Sequence, residues 1–263
     1  MKHAELGAVG SVSRLTLGGG GLGQIWGETT REECVETVRA AVDAGIDLFD
    51  LAPGYGRGEA EEVFGAAFEG RVPAGVRVTT KCQLGSPPAE EVDATIRRRL
   101  ERSLASLRLE RVDLLFLHSN IVPDDFVFPR AEDAAMQDRF ATRVSLFRDA
   151  VVPCFEALRR EGLIGAWGIT GTGLPGCILE ALATDPKPAV VQAIANCLDS
   201  PGAMRRYQEP PQARATIAAA VANGVGVMGI RAVQAGALTE AFDRPIPEDS
   251  QDWLDYQRAA PFR

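Results

Sequence analysis

Apolar residues along the chain follow two alternating patterns, short continuous runs of strand length and longer amphipathic stretches with helical spacing. The short runs predict seven strands, at about residues 15–17, 46–50, 76–80, 112–117, 165–170, 189–194 and 225–230. The amphipathic stretches predict helices, at about residues 29–45, 58–68, 88–107, 145–160, 174–183 and 213–222. This unbroken alternation predicts parallel strands joined by crossover helices.

Two architectures with parallel strands fit this alternation, a closed β/α barrel and an open, doubly wound sheet. The length of 263 residues suits one barrel domain, although two small domains would also fit. A closed barrel needs an eighth strand after Ile230, and residues 231–263 contain no clear apolar strand. Residues 247–263 suggest a further helix instead. The alternation alone therefore predicts an α/β fold and leaves the closure of the sheet open.

Composition and charge exclude several classes of function. The net charge is −8, and the arginines near residues 97–102 alternate with apolar residues as on a solvated helix face, so no basic stripe for nucleic acid is expected. Five cysteines without a CxxC pair, and only two histidines, argue against a zinc site and for buried free thiols. The sequence has no signal-peptide core and no membrane span, so we expect a soluble, cytoplasmic protein that binds neither membranes nor metals.

Four polar residues follow three successive predicted strands. Asp50 ends the second strand and Tyr55 lies in the turn after it, Lys81 ends the third strand, and His118 ends the fourth. In a β/α barrel the carboxyl ends of consecutive strands meet at one rim, and that rim carries the active site. We therefore expect these four side chains to lie close together.

These residue types suit proton transfer to a carbonyl oxygen. A free phenol is a weak acid, with a pKa of about 10, and a nearby ammonium favours its ionised form. Lys81 can supply that charge to Tyr55, Asp50 can pair with the buried ammonium, and His118 can hydrogen-bond a substrate oxygen. Each residue alone has a structural interpretation, as a surface charge, a helix cap or a packing group. Their combination at neighbouring strand ends indicates catalysis.

The tyrosine lies in the segment DLFDLAPGYGRGEAEEVFG, which resembles the signature of the aldo-keto reductases. Two later segments, TTKC and DLLFLH, resemble the lysine and histidine strands of that family, and the resemblance extends from about Leu15 to Leu238. It implies a (β/α)8 TIM-type barrel and a catalytic tetrad of Asp50, Tyr55, Lys81 and His118. It also implies a nicotinamide cofactor, NADP by family expectation with NAD as the alternative, bound without a Rossmann motif.

The resemblance further implies cofactor contacts at the rim and a short hairpin at residues 1–13 that plugs the opposite end of the barrel. The expected cofactor-binding residues are Gly20, Gly21, Thr170, Gln192, Ile230, Arg231, Gly236 and Leu238. The sequence departs from the family at Gly171, where an asparagine is usual, and at Ile230, where an aromatic residue is frequent. These departures leave the contacts to the nicotinamide open.

The family continues into an eighth strand and a basic segment that holds the adenosine 2′-phosphate. We therefore expect residues 1–263 to form a single barrel domain that lacks its last βα unit, because the chain is truncated or its tail is disordered. The predicted function is the interconversion of small aldehydes, ketones or sugars and alcohols, with Tyr55 as general acid and base. A cofactor-binding regulatory subunit and an isomerase or lyase with Lys81 as Schiff-base former remain alternatives.

Overall fold

The computed structural model describes residues 1–25, 27–128, 139–198, 212–233, 236–237, 239–240, 243–248 and 253–262. In chain order the strands are β1 (His3–Glu5), β2 (Ser11–Ser13), β3 (Leu17–Gly18), β4 (Leu48–Asp50), β5 (Arg77–Cys82), β6 (Val112–Leu117), β7 (Asn120–Val122), β8 (Ala141–Arg143), β9 (Ile164–Thr170), β10 (Val190–Ile194) and β11 (Gly226–Ile230). Seven of them form one parallel sheet in the order β3-β4-β5-β6-β9-β10-β11. They agree with the seven predicted strands to within a few residues.

Helices connect the strands of this sheet. They are α1 (Arg31–Asp43), α2 (Glu59–Phe68), α3 (Val92–Leu107), α4 (Val152–Arg160), α5 (Pro175–Ala183), α6 (Ala213–Ala222) and, near the end of the chain, α7 (Trp253–Ala259). Thr30 caps α1 through a reciprocal pair of hydrogen bonds with Glu33, as its position before the helix predicts. The helix expected at about residues 145–160 begins as a short turn and a π-helical segment, Phe147–Val151, before α4.

The spatial order of the central strands follows their order along the chain. In a doubly wound sheet the order reverses at a switch point, whereas in a β/α barrel it does not. The doubly wound alternative is therefore wrong, and the curled parallel sheet is that of a (β/α)8-type barrel, of which the described residues supply seven strands. Among the residues that the structure describes, no strand pairs with both β3 and β11 to close the ring.

Alternate residues of each strand face two separate apolar layers. Outward residues such as Phe49, Leu115 and Trp167 join the large core between the sheet and the helices. The inward residues form a second, smaller core inside the barrel, made of Leu48, Leu114, Phe116, Ala166, Val190 and Met228. Strands that are apolar on both faces are expected for a parallel sheet covered by helices.

The hairpin of β1 and β2 covers the end of the barrel where the strands begin. Its residues Leu6 and Val12 belong to the inner core. A Cβ atom on Gly7 would lie 2.5 Å from the carbonyl oxygen of Ala189 and 2.6 Å from the amide nitrogen of Gly226, at the starts of β10 and β11. The hairpin expected at residues 1–13 is thus confirmed, and it leaves the opposite rim for the functional groups.

The described part of the chain contains no helix with the length and hydropathy that a membrane crossing requires. It also contains no cluster of three or more His, Cys, Asp or Glu side chains arranged to hold a metal ion. None of the five cysteines forms a disulfide; four of them are buried as expected, and Cys197 is exposed.

Candidate active site

The four predicted polar residues come together at the carboxyl ends of β4, β5 and β6. Asp50 is the last residue of β4, Lys81 lies near the end of β5, and His118 directly follows β6. Tyr55 begins a 3-10 turn, Tyr55–Gly58, that connects β4 to α2. The backbone N–H of His118 donates to the carbonyl oxygen of Cys82 at 2.7 Å, which continues the pairing of β5 and β6 up to the rim.

Asp50 and Lys81 form a buried ion pair. The Lys81 Nζ atom lies 2.9 Å from Asp50 Oδ1 and donates a second hydrogen bond, of 2.8 Å, to the carbonyl oxygen of Leu51. The side chain of Lys81 is 0% exposed and that of Asp50 is 11% exposed. Burial disfavours the ammonium, but the charge of Asp50 and the contact with Tyr55 outweigh it, so the pKa of Lys81 is raised. Lys81 is therefore a cation over the whole physiological pH range.

The half-buried ring of Tyr55 lies between this ammonium and the imidazole of His118. The Lys81 Nζ atom is 4.6 Å from the centre of the Tyr55 ring. The rings of Tyr55 and His118 meet edge to face, with their centres 6.3 Å apart and an interplanar angle of 79°. A phenol, an ammonium and an imidazole thus share one small region at the mouth of the barrel, as the strand-end argument predicted.

His118 is neutral at physiological pH. Burial, reinforced by the positive charge of Lys81, lowers the pKa of His118 to about 4. A neutral imidazole carries one N–H donor and one acceptor nitrogen. His118 can therefore donate a hydrogen bond to a carbonyl oxygen without adding a second positive charge to the site.

Gln192 belongs to the same network, although the sequence placed it only among the cofactor contacts. Its Nε2 atom lies 2.8 Å from Asp50 Oδ1 and 3.3 Å from Met228 Sδ. Thr79, which the sequence analysis missed, donates its hydroxyl to the same carboxylate oxygen at 2.8 Å. The spacing of Thr79 two residues before Lys81 was the available signal, because alternate residues of a strand share one face.

The glycine-rich segment after β3 forms a single helical turn, Gly19–Leu22, that packs against the tyrosine turn. A Cβ atom on Gly23 would lie 2.5 Å from the carbonyl carbon of Tyr55, and one on Gly19 would lie 3.0 Å from its ring. At Gly23 only glycine permits this approach of the two backbones, so Gly23 helps to position Tyr55, while Gly19 packs tightly against its ring. Of the two glycines predicted to contact the cofactor, Gly20 is half-buried, whereas Gly21 is exposed and has open space beside its Cα.

The other predicted cofactor residues lie at the ends of the later strands. Thr170 is buried at the end of β9, where its hydroxyl donates to the carbonyl oxygen of Leu117 at 3.2 Å. Ile230 ends β11 and is half-buried, Arg231 follows it with an exposed side chain and a φ of +58°, and Gly236 lies in a turn beyond. Leu238 lies outside the described residues.

The structure gives a steric reason for the glycine at position 171. Its N–H donates to the carbonyl oxygen of Gln192 at 2.7 Å, and a Cβ atom would lie 2.7 Å from the same oxygen. Any larger residue here would require β9 or β10 to shift. The side-chain contact that an asparagine would make at this position is therefore absent from this chain.

Comparison with known proteins identifies the family. A sequence model of the aldo/keto reductase family matches residues 14–260, which is most of the chain. The chain belongs to the aldo/keto reductase family. The family predicted from the residues around Asp50, Tyr55, Lys81 and His118 is thereby confirmed.

The matches to individual relatives span only part of the length of each relative. L-galactose dehydrogenase of Arabidopsis thaliana is 28% identical over 180 residues, which are 66% of this chain and 50% of that protein. NADH-specific methylglyoxal reductase of Escherichia coli (strain K12) is 33% identical over 156 residues, 52% of this chain and 47% of that protein. The chain thus spans about half the length of these curated relatives. An aldo-keto reductase from Klebsiella pneumoniae, solved in complex with NADPH, has a similar fold, with a TM-score of 0.65, 21% identity, and coverage of 93% of this chain and 73% of that one.

Proposed function

We propose that this aldo/keto reductase interconverts small aldehydes or ketones and alcohols with a nicotinamide cofactor, and that Tyr55 is its general acid and base. One observation carries the proposal. A half-buried phenol lies against a fully buried ammonium, which is itself fixed by a carboxylate 2.9 Å away. Three ionisable groups in contact at the rim fit proton transfer to a carbonyl oxygen, with the phenol as proton donor and the ammonium as the charge that favours its ionised form.

The rim also has a group that fits the cofactor. Gln192 is 2% exposed, and its Nε2 atom is engaged by Asp50 and Met228, while within the described part of the chain no donor reaches its Oε1. A buried acceptor without a donor is costly, and the amide N–H of a nicotinamide carboxamide would satisfy it. The other residues proposed to hold the cofactor are Gly20, Gly21, Thr170, Ile230, Arg231, Gly236 and Leu238. The bound nicotinamide would supply or accept the hydride.

The protein's own groups would handle the proton. In the reductive direction Tyr55 donates its hydroxyl proton to the carbonyl oxygen of the substrate, and the adjacent Lys81 ammonium stabilises the phenolate that remains. Asp50 keeps Lys81 charged and in place. The neutral His118 donates an N–H to the same carbonyl oxygen and so orients the substrate. In the oxidative direction the phenolate removes the proton from the alcohol.

Relatives guide the choice of substrate and cofactor. The two curated relatives act, by their names, on a sugar and on a small ketoaldehyde. We therefore propose small aldehydes, ketones or sugars as substrates. The E. coli relative is named NADH-specific, whereas the Klebsiella structure contains NADPH. Assays should accordingly compare both cofactors, with NADP as the first expectation.

Removing one hydroxyl tests the proposal. The substitution Tyr55→Phe keeps the ring and removes the proton, so kcat for methylglyoxal or an aldose should fall by about 10²- to 10⁴-fold. Tyr256→Phe, made on α7, is the matched control and should retain activity. Fluorescence titration with NADPH and NADH should show unchanged cofactor affinity in Tyr55→Phe.

The proposed mechanism is wrong if Tyr55→Phe keeps full activity. Tight cofactor binding by the unaltered protein without turnover of any tested carbonyl would instead favour a regulatory, cofactor-binding role. The observation that favours this second function is Gly171, which lacks the side-chain contact that an asparagine would make at this position.

A further inference from the structure

A second buried carboxyl group lies behind the site, on the other side of the sheet. Glu61, in the first turn of α2, is 1% exposed, and with Asp50 it makes up the buried acids of the described chain. The other buried residues of α2 are apolar or glycine. A carboxyl group among them is costly unless its hydrogen bonds are made, so its presence needs a reason.

Glu61 connects α2 to β5 and α3. Its Oε1 atom accepts a short hydrogen bond from the hydroxyl of Thr80, which is 0% exposed, and the hydroxyl of the buried Ser103 on α3 lies near enough to lower the pKa of the carboxyl group. Burial raises the pKa of Glu61, while these two hydroxyls and the positive charge of Lys81 act in the opposite direction. The hydroxyl of Thr80 therefore serves a carboxyl group that the proton-transfer mechanism does not use.

The position of Thr80 gives this contact its significance. Thr80 faces outward to Glu61, and its neighbours in the strand, Thr79 and Lys81, face inward to Asp50. Glu61 itself lies six residues after Tyr55, in the helix that the tyrosine turn leads into. One hydrogen bond thus joins the helix that directly follows the tyrosine turn to the strand that carries the ammonium.

We propose that Glu61 is a positioning residue that fixes Tyr55 relative to Lys81 through its hydrogen bond to Thr80. This inference rests on the proposed function of Tyr55 and Lys81. It assigns no contact between Glu61 and substrate or cofactor. Glu61 would act on the rate of the chemical step, because that step depends on the separation of the phenol and the ammonium.

Three variants remove the contact in different ways. Glu61→Leu keeps the volume and removes the acceptor, Thr80→Val keeps the shape and removes the donor, and Glu61→Gln retains an amide oxygen that can accept. Glu62→Leu is the matched control, because the neighbouring Glu62 side chain is 49% exposed and pairs with Arg31 on the surface. All variants are compared as full-length chains, with their folding checked by circular dichroism.

We expect kcat to fall by about 10- to 100-fold in Glu61→Leu and in Thr80→Val, with cofactor affinity unchanged, since small misplacements of reacting groups have effects of this size. Glu61→Gln should recover most of kcat, and Glu62→Leu should match the unaltered protein. The double variant Glu61→Leu/Thr80→Val should be no slower than either single variant, because both remove one interaction. The inference fails if kcat of folded Thr80→Val stays within about twofold of that of the unaltered protein. It also fails if the fold-loss of kcat in the double variant equals the product of the fold-losses in the two single variants.

A measurement without turnover separates this inference from the proposed function. A buried ammonium that exchanges slowly with water gives a ¹⁵N-edited NMR signal, and Lys81→Met identifies the signal of Lys81. That signal should shift in Glu61→Leu and Thr80→Val and stay in place in Glu62→Leu. An unaltered protein that reduces no carbonyl would contradict the proposed function alone. An unshifted Lys81 signal in both variants would overturn the positioning role whether or not the protein is an enzyme.

Discussion

Removing either partner of the Asp50–Lys81 ion pair should lower the free energy of unfolding, and removing Asp50 should lower it more than removing Lys81. Asp50→Leu leaves a completely buried ammonium that keeps its hydrogen bond to the carbonyl oxygen of Leu51 and its contact with Tyr55. It also removes the acceptor of the Thr79 hydroxyl and the carboxylate acceptor of the Gln192 amide. Removing one partner of a buried pair typically costs 3–5 kcal/mol, and each stranded donor adds to that. We expect the free energy of unfolding to fall by about 4 kcal/mol, a large share of the roughly 5–15 kcal/mol of a typical domain.

Lys81→Met should lower the free energy of unfolding by less than Asp50→Leu does. The carboxylate of Asp50 keeps the hydrogen bonds from Thr79 and Gln192, and its partial exposure admits water. A loss of about 1–3 kcal/mol is expected for a carboxylate that keeps such partners. In the double variant Asp50→Leu/Lys81→Met no charge remains unpaired, so its cost should be smaller than the sum of the two single costs by about 2 kcal/mol.

Urea unfolding at neutral pH, followed by far-ultraviolet circular dichroism, measures these differences. Lys187→Met is the control, because half-buried Lys187 pairs at 3.5 Å with Asp185, which is 81% exposed, and it should change stability by no more than about 0.5 kcal/mol. If the two single costs add within about 0.5 kcal/mol, the carboxylate and the ammonium do not interact as described, and the reasoning is refuted.

The same pair predicts a pH dependence. The pKa of Lys81 is raised above its ordinary value of 10.5, so the folded chain holds this proton more tightly than the unfolded chain. The stabilisation is fully present below pH 10.5 and is lost as pH rises through the folded-state pKa. The difference in stability between the unaltered protein and Lys81→Met should therefore be constant from about pH 6 to 9 and shrink only at higher pH.

Two further predictions concern His118 and the glycine-rich segment. Because the pKa of His118 is lowered from 6.5 to about 4, the unfolded chain binds this proton at a higher pH than the folded chain, and the free energy of unfolding should fall as pH decreases from 6.5 towards 4. In His118→Gln this part of the pH dependence should be missing when unfolding is measured across the same range. If the free energy of unfolding changes equally with pH in both proteins, the assignment is contradicted. Gly23→Ala places a Cβ atom 2.5 Å from the Tyr55 carbonyl carbon, so kcat should fall about tenfold or more through displacement of Tyr55. Gly176→Ala, in open space on α5 and away from the site, should be tolerated. Equal kcat values for the two variants would show that the close approach does not position Tyr55.

Much of the fold follows from local patterns in the sequence. The run at residues 112–117 is apolar except for Asp113 and is bounded by polar residues, and β6 has the predicted limits. The positions of Asp50, Lys81 and His118 at the ends of successive strands then predicted that they lie at one rim, because neighbouring parallel strands of a barrel end at the same rim. This reasoning needed only the period of the pattern and the order of the strands.

The supporting residues of the site could not be predicted in the same way. Thr79 and Thr80 are common strand residues, and a glutamate in the first turn of a helix is ordinarily exposed, so neither position signals a buried contact. Their roles depend on which face of β5 each occupies and on what α2 and α3 bring to that face, which is tertiary information. The close contact of Gly23 with Tyr55 joins two loops, and no local pattern encodes such a contact.

The hydrogen bond between Gln192 and Asp50 shows how the incomplete barrel still builds its site. The two residues lie on β10 and β4, which are four strand spacings apart in the sheet. In a flat sheet this separation would be about 19 Å, far beyond the reach of two short side chains. Their contact at 2.8 Å requires that the sheet curl until these strands face each other across the interior. The carboxylate that holds Lys81 is therefore also the point where the proton-transfer side of the barrel meets the side proposed to hold the nicotinamide, and this meeting needs curvature rather than an eighth strand between β11 and β3.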